Sequence, residues 1–254
     1  MLKRGRSKEW FEDEAFWRET YHYMFPDARI AEAVGQVAKA LNLTAPSGKT
    51  VLDLCCGPGR CAIALAKRGL SVTGVDRTKY LLDKARERAK KESVKVEWIQ
   101  DDMRTFWRKN SYDLALSMFT SFGYFQTRNE DAVVLRNIFT SLRPGGSLLI
   151  ELMGKETLAR VFNPSSVETA SDGSLVAEQR EILDGWSRIR NTWTVIRNGT
   201  TRRFRFELNL YSGQELRESM ERAGFGDIQL YGSLDADLYG PDAHRLIAVG
   251  RKPS

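Results

Sequence analysis

Between residues 50 and 152 the chain repeats one pattern. A short apolar run is followed by a longer stretch whose apolar residues recur every three or four positions. The runs lie at 51–54, 70–75, 94–99, 112–116 and 147–152. Each is short enough for a strand covered on both faces. In the stretches between them, Ile63 and Ala66 share one helical side, Leu81, Leu82, Ala85 and Ala89 another, and Leu135, Ile138, Phe139 and Leu142 a third. Thr78 is the expected cap of the second of these helices and Asn129 of the third. Gly69 closes the first in a left-handed cap, and Pro144-Gly145-Gly146 turns the chain into the last run. Five strand–helix units in a row call for a parallel sheet with helices on both faces.

The pattern differs on either side of this block. Upstream, Trp10, Trp17, Tyr21 and Met24 fall at helical spacing in an aromatic stretch that ends at Pro26. Asp27 then caps a second helix with Ile30, Val34, Val37 and Leu41 as its apolar face. Downstream, Asp172-Gly173, Asp184-Gly185 and Asn198-Gly199 are hairpin turns. After the last of them Phe204, Phe206, Leu208 and Leu210 alternate with Arg203, Arg205, Glu207 and Asn209. Ser212-Gly213-Gln214-Glu215 is a capping box, opening a helix with Leu216, Met220 and Ala223 that Gly224 closes. Two strands follow, at 227–231 and 245–251, with the loop 235–244 edging the site.

The expected fold is α/β: a Rossmann-like, mostly parallel seven-stranded sheet with helices on both faces, plus an inserted antiparallel β meander. The expected domains are a helical lid or cap over 1–45, an α/β domain from 46–164 and 212–254, and the insert over 165–211.

Composition narrows the class. With 254 residues and 42% apolar content the chain can bury a large core, and no apolar run approaches the ~20 residues of a membrane span. Residues 1–6 are basic but lack the apolar stretch of a signal peptide, so a cytoplasmic protein is expected. Lys and Arg total 39 against 33 for Asp and Glu, a net charge of +6. Seven arginines lie between residues 180 and 205, but Glu178, Glu181, Asp184 and Glu207 dilute them. A solvated face, not nucleic-acid binding, is the expectation. Cys55, Cys56 and Cys61 are expected as reduced thiols. The two histidines, His22 and His244, are far from them in sequence, and a zinc site needs about four ligands, so no metal is expected.

The chemistry centres on Val51-Leu52-Asp53-Leu54-Cys55-Cys56-Gly57-Pro58-Gly59-Arg60. A strand, a Gly-x-Gly turn and a helix start aim backbone N–H groups at whatever lies above the strand end. Asp53 precedes the glycines. Asp76 ends the next apolar run, where a ribose-binding carboxylate is expected. Asp101-Asp102 follows the third run, and an aromatic loop, 118–125, follows the fourth. Three strand ends thus offer carboxylates to one crevice.

Those residues resemble the class I S-adenosylmethionine-dependent methyltransferases of the small-molecule type, as do Asp102-Met103, Leu142-Arg143-Pro144-Gly145-Gly146 and the Ser121-Phe122-Gly123-Tyr124-Phe125 loop. The resemblance implies a transferase that uses S-adenosyl-L-methionine and releases S-adenosyl-L-homocysteine, with a small-molecule acceptor bearing a nitrogen or oxygen nucleophile. It implies that Asp53 holds the methionyl end and that Gly57 and Gly59 let the backbone pass close. Cys55 stands where many members have glycine, and its backbone faces the ligand. Asp76, with Arg77 beside it, serves the ribose. Asp102 accepts from the adenine amino group, the Met103 N–H reaches a ring nitrogen, and Met118 and Phe119 contact the methionine moiety. Trp17, Tyr21, Tyr23, Phe119 and Tyr124 would line the acceptor pocket, since ring faces suit a cationic sulfonium or an amine. Tyr21 and Tyr124 are the candidate bases, with His22 behind them.

Two other activities fit parts of the pattern. An RNA methyltransferase would use the basic insert, and a dinucleotide-dependent oxidoreductase would use Gly57-x-Gly59-x-x-Ala62. A non-catalytic binder on the same fold would bind without turnover. After the fourth run the chain reads Ser117-Met118-Phe119-Thr120, without the Asp/Asn-Pro-Pro-aromatic signature of exocyclic base-amine methylation. The apolar face of the last insert strand has to be covered by the core or by a second copy, which makes a homodimer through the insert one expected arrangement.

Overall fold

The computed structural model describes residues 9–254, so the basic start at 1–6 lies outside the described residues. The chain opens with a 3-10 turn, Trp10–Glu12, then α1 (Glu14–Met24) and α2 (Asp27–Thr44). The 9–24 stretch is therefore two pieces and not one helix. Asp13 breaks it and caps α1 by accepting from the Ala15 N–H at 3.1 Å. Asp27 is the first helical residue of α2 and not its cap, which is Pro26. Ala33, Val37, Ala40 and Thr44 form the buried stripe of α2, and Val34 is 50% exposed. Small residues face inward because α2 lies close against the next helix, Arg60–Lys67, on the same face of the sheet.

The α/β block then runs β1 (Thr50–Leu54), α3 (Arg60–Lys67), β2 (Ser71–Asp76), α4 (Lys79–Lys91), β3 (Glu97–Gln100), β4 (Tyr112–Ser117), α5 (Arg128–Ser141) and β5 (Leu142–Leu152). Thr127, not Asn129, caps α5, forming a reciprocal box with Glu130. After a short helix, α6 (Lys155–Val161), comes the insert: β6 (Ser165–Thr169), β7 (Leu175–Leu183), β8 (Arg188–Arg197) and β9 (Thr200–Asn209). The chain closes with α7 (Gly213–Arg222), β10 (Gly226–Tyr231) and β11 (Leu246–Arg251).

The large sheet has the order β10-β11-β5-β4-β1-β2-β3. Its β1 to β5 pairings are parallel, and β11 runs antiparallel between β5 and β10. Alternation along each strand feeds two cores. Val51, Leu114 and Leu149 meet α2 and α3 on one face, while Leu52, Ala115 and Leu148 meet α5 and α7 on the other.

The insert is a separate four-stranded antiparallel sheet. Gly173, Gly185 and Gly199 sit at φ 82°, 60° and 74° in its three hairpins, the left-handed geometry that such turns require. Its apolar face is covered by this chain's own N-terminal stretch. Trp10 lies 4.8 Å from Phe206 between ring centroids, and Phe16 lies 5.4 Å from both Phe204 and Phe206. Leu208 and Leu210 pack instead on Leu158 of α6. Five of the seven arginines are paired with acids: Arg180 with Glu178, Arg188 and Arg190 with Glu207, Arg197 with Asp172, and Arg202 with Glu19. Among the described residues no helix is long and apolar enough to cross a membrane.

Candidate active site

Strands β1, β2 and β4 end at one edge of the large sheet. The loops beyond them open a pocket of about 890 Å3, counted to its solvent-open mouth. Its floor is the glycine turn. Cys55 and Gly57 have φ of 59° and 54°, and this left-handed course lets the Gly57 N–H donate to Asp76 Oδ2 at 2.9 Å. The Thr78 N–H donates to the other oxygen, Oδ1, at 2.8 Å. Asp76 is thereby fixed, and each oxygen keeps a further lone pair for a ligand. Burial raises its carboxyl, while the Thr78 and Gly57 N–H groups pull the other way.

Asp53 is 3% exposed and also faces the pocket. Its Oδ2 has no protein partner. Burial pushes the carboxyl up to about 7, against the pull of the Ala62 N–H and the Arg60 charge. A buried acceptor left open in this way fits a ligand donor such as an ammonium. Arg60, at the start of α3, stacks 3.3 Å over the Phe119 ring, and Phe25 lies 5.7 Å away on the opposite wall. Burial lowers the Arg60 guanidinium. It is the cation on the pocket wall beside Asp53.

Asp102 borders the pocket but differs from the expectation. Its Oδ1 accepts from the Arg104 N–H at 2.8 Å and from Arg104 Nε at 3.0 Å. Its Oδ2 accepts from Arg77 at 2.6 Å and Arg104 at 2.7 Å. A carboxylate has about four lone-pair sites, and here all are taken, leaving none for an adenine amino group. Burial pushes this carboxyl up, but the Arg104 hydrogen bonds and the two guanidinium charges outweigh it and hold it below the usual range. Arg77 lines the pocket but is committed to Asp102 and Glu12, and Arg104 also reaches Glu9 at 3.0 Å and Glu130 at 2.8 Å. These pairs strap the N-terminal turn over the pocket.

Met103, Met118 and Phe119 line the pocket as well. Gly59 does not. An added Cβ there would lie 2.6 Å from the Trp98 ring and 3.1 Å from Ala85 Cβ, so its role is to let α3 and α4 close on β3. Of the expected acceptor residues, Trp17, Phe119 and Tyr124 face the pocket, and Tyr21 and Tyr23 do not. Tyr21 leans on α4, its ring 5.7 Å from Tyr80. Tyr23 turns to the small sheet, donating its hydroxyl to Glu178 at 2.8 Å. His22 is exposed. Trp17 and Met24 of α1 take the pocket face, joined by Phe11 of the 3-10 turn and Phe25 just past the end of the helix. Desolvation raises the Tyr124 hydroxyl, reinforced by Cys55 and Asp76. The hydroxyl therefore stays protonated, which disfavours it as a base and leaves its O–H able to donate. Phe11, Phe25, Arg60 and Phe125 lie outside the expected set. For Arg60 its place directly after the glycines was the available signal. Among the described residues no group of three or more His, Cys, Asp or Glu side chains is placed to hold a metal ion.

A seven-stranded sheet whose β11 runs antiparallel to its neighbours, beside a four-stranded antiparallel sheet, is a fold shared with solved S-adenosylmethionine-dependent methyltransferases. Residues 51–146 match the family described as a methyltransferase domain. The cypemycin N-terminal methyltransferase of a Streptomyces species is 30% identical over 129 residues, 51% of this chain and 52% of that one. The chain spans about half the length of the curated relatives it matches. A S-adenosylmethionine-dependent methyltransferase from Clostridium acetobutylicum superposes with a TM-score of 0.79 at 13% identity, over 94% of this chain and 98% of that one. The SAM-bound amino pentose methyltransferase CalS10 of Micromonospora echinaspora gives 0.66 at 20% identity, over 93% and 96%. At these identities the structural likeness is one of fold.

Proposed function

We propose that this protein is an S-adenosylmethionine-dependent methyltransferase acting on a small molecule with an amine nucleophile. The observation that carries the reading is the pair of buried carboxylates flanking Gly57. Asp76 is held by two backbone N–H groups with one lone pair free on each oxygen, which suits two adjacent ribose hydroxyls. Asp53 has an unpartnered oxygen for the methionyl ammonium, and Arg60 beside it supplies a cation for the carboxylate. Met103 and Leu81 border the pocket with apolar surface for a purine.

The bound cofactor supplies an electrophilic methyl on a sulfonium, and its transfer needs alignment and exclusion of water more than acid–base help. Phe11, Trp17, Phe25 and Phe119 form an apolar wall that excludes water. Tyr124 offers a hydroxyl that stays protonated and can orient the acceptor by donating to it. An amine that arrives neutral requires no base from the protein. The cypemycin enzyme is by name an N-terminal methyltransferase and CalS10 an amino pentose methyltransferase, which motivates the choice of an amine, while the O-methyltransferases of ubiquinone biosynthesis among the relatives make phenols the comparison acceptors. Five of the insert's seven arginines are paired with acids, which weakens the support for the RNA reading.

The test is calorimetric titration of the purified protein with S-adenosylhomocysteine and NAD, followed by product detection across a panel of amino sugars, peptide amines and phenols. Micromolar binding of S-adenosylhomocysteine alone, with turnover on amines, is the expected result. Binding of NAD without S-adenosylhomocysteine overturns the reading.

A further inference from the structure

The turn after β4 takes an unusual path. Phe119 and Thr120 are consecutive residues with side chains, yet their φ angles are 62° and 60°. This left-handed region crowds Cβ against the backbone and is disfavoured for both residue types. Something outside the turn has to hold them there. Glu151, at the end of β5 and 6% exposed, does so from two atoms. Its carboxylate Oε2 accepts the Phe119 N–H at 2.8 Å, and its carbonyl accepts the Thr120 N–H at 3.0 Å. Arg245, arriving from the loop before β11, closes the bracket. Its Nε donates to Glu151 Oε1 at 2.7 Å and its Nη2 to Thr120 Oγ1 at 2.8 Å. Ser121 Oγ donates back to the Met118 carbonyl at 2.7 Å.

The result is that the Phe119 ring lies under Arg60, 3.3 Å from its guanidinium carbon. Neither Glu151 nor Arg245 lines the pocket. We infer that Glu151 and Arg245 are positioning residues for the amino-acid end of the ligand. They hold the β4 turn so that Phe119 fixes the Arg60 guanidinium beside Asp53. This inference rests on the methyltransferase reading above. It predicts a selective defect: loss of the brace weakens recognition of the amino-acid end and leaves nucleoside recognition intact.

The experiment compares S-adenosylhomocysteine with 5′-methylthioadenosine, which has the nucleoside and sulfur but lacks the amino-acid end. Both are titrated into the wild-type full chain and into Glu151→Ala, Glu151→Gln and Arg245→Gln. For Glu151→Ala, S-adenosylhomocysteine affinity is expected to fall at least tenfold while 5′-methylthioadenosine affinity changes less than twofold. Glu151→Gln keeps an oxygen to accept the Phe119 N–H and is expected to recover most of the loss. Arg245→Gln, at a partly exposed site, is expected to show the same selectivity with a smaller loss. Equal losses for both ligands, or wild-type affinity for both in Glu151→Ala and Arg245→Gln, would overturn the inference. A wild-type protein that binds neither ligand overturns the methyltransferase reading itself, and the brace with it.

Discussion

Asp53, Gly57 and Asp76 on the pocket floor come from one strand–helix–strand unit, and their geometry is set by the backbone between them. The roof above them is assembled from distant segments: Phe11 and Trp17 from the N-terminal elements and Tyr124 from the turn region after β4 line it, and Trp10, Phe16 and Phe206 of the insert pack around them. The floor is held by backbone N–H donors at fixed positions. The roof is held by ring packing and by the Arg77 and Arg104 ion pairs. A floor of this kind offers few conformational choices, whereas a roof of rings and long side chains can loosen without unfolding the sheet. The comparison predicts that floor mutations abolish binding or folding and that roof mutations grade it.

The largest effect should come from Asp76→Ala. It removes two charge-assisted ligand hydrogen bonds at roughly 1.5–3 kcal/mol each and orphans two N–H groups. S-adenosylhomocysteine affinity is expected to drop more than a hundredfold by calorimetry. Gly59→Ala should leave the pocket lining intact but destabilise the fold by about 2–4 kcal/mol in urea unfolding, combining overpacking against Trp98 with a left-handed backbone. A stability loss below about 1 kcal/mol would show that α3 can shift away from Trp98.

Arg104→Ala tests the strap. It leaves Glu9 and Glu130 without this cation and Asp102 with Arg77 alone, so the turn at 10–12 should become cleavable by limited proteolysis, with S-adenosylhomocysteine affinity down about tenfold, some 1.4 kcal/mol. Unchanged protease resistance would assign roof closure to the rings alone.

The pH dependence separates the two acids of the floor. Asp53 is pushed up to about 7, and binding a ligand ammonium requires its ionised form. Affinity should therefore fall up to tenfold per unit as the pH drops below about 7, and Asp53→Asn should flatten that slope. In the free protein the sign is opposite. The folded state holds this proton more tightly than the unfolded chain, so the Asp53 contribution to stability declines as pH rises from about 4 to about 7. A free-protein melting temperature that rises across that window in wild type relative to Asp53→Asn contradicts this assignment. The smallest effect belongs to Tyr21→Phe, which should alter turnover less than twofold because its ring faces α4, whereas Tyr124→Phe should lower it measurably.

Much of this was legible in the sequence where the signal is local. The three Asx-Gly hairpins and the Ser212 box depend on two to four adjacent residues, and they form where those residues stand. The strand-end carboxylates are equally local. What could not be read was phase and company. Spacing alone joined Trp10 to Tyr21 in one helix, but Asp13 caps a new helix, and within it Tyr21 finds Tyr80 of α4 and Tyr23 finds Glu178 of the small sheet, partners that nothing near them in sequence announces. Thr127 outcompetes Asn129 as a cap because Glu130 reciprocates its hydrogen bond. Asp102 loses its free lone pairs to Arg77 and Arg104, and nothing at position 102 announces how two long side chains will fold back on it.

The meeting of Trp10 with Phe206 also sets a timetable. A ribosome releases the N-terminal rings first and the strand that covers them near the end of synthesis, so the pocket floor can be in place while its roof still has no partner. Contacts between such distant positions form late because a long loop must close before they reward the chain. During that interval Trp10, Phe16 and Trp17 are exposed apolar surface, which makes this stretch the segment of the nascent chain most in need of shielding from its neighbours.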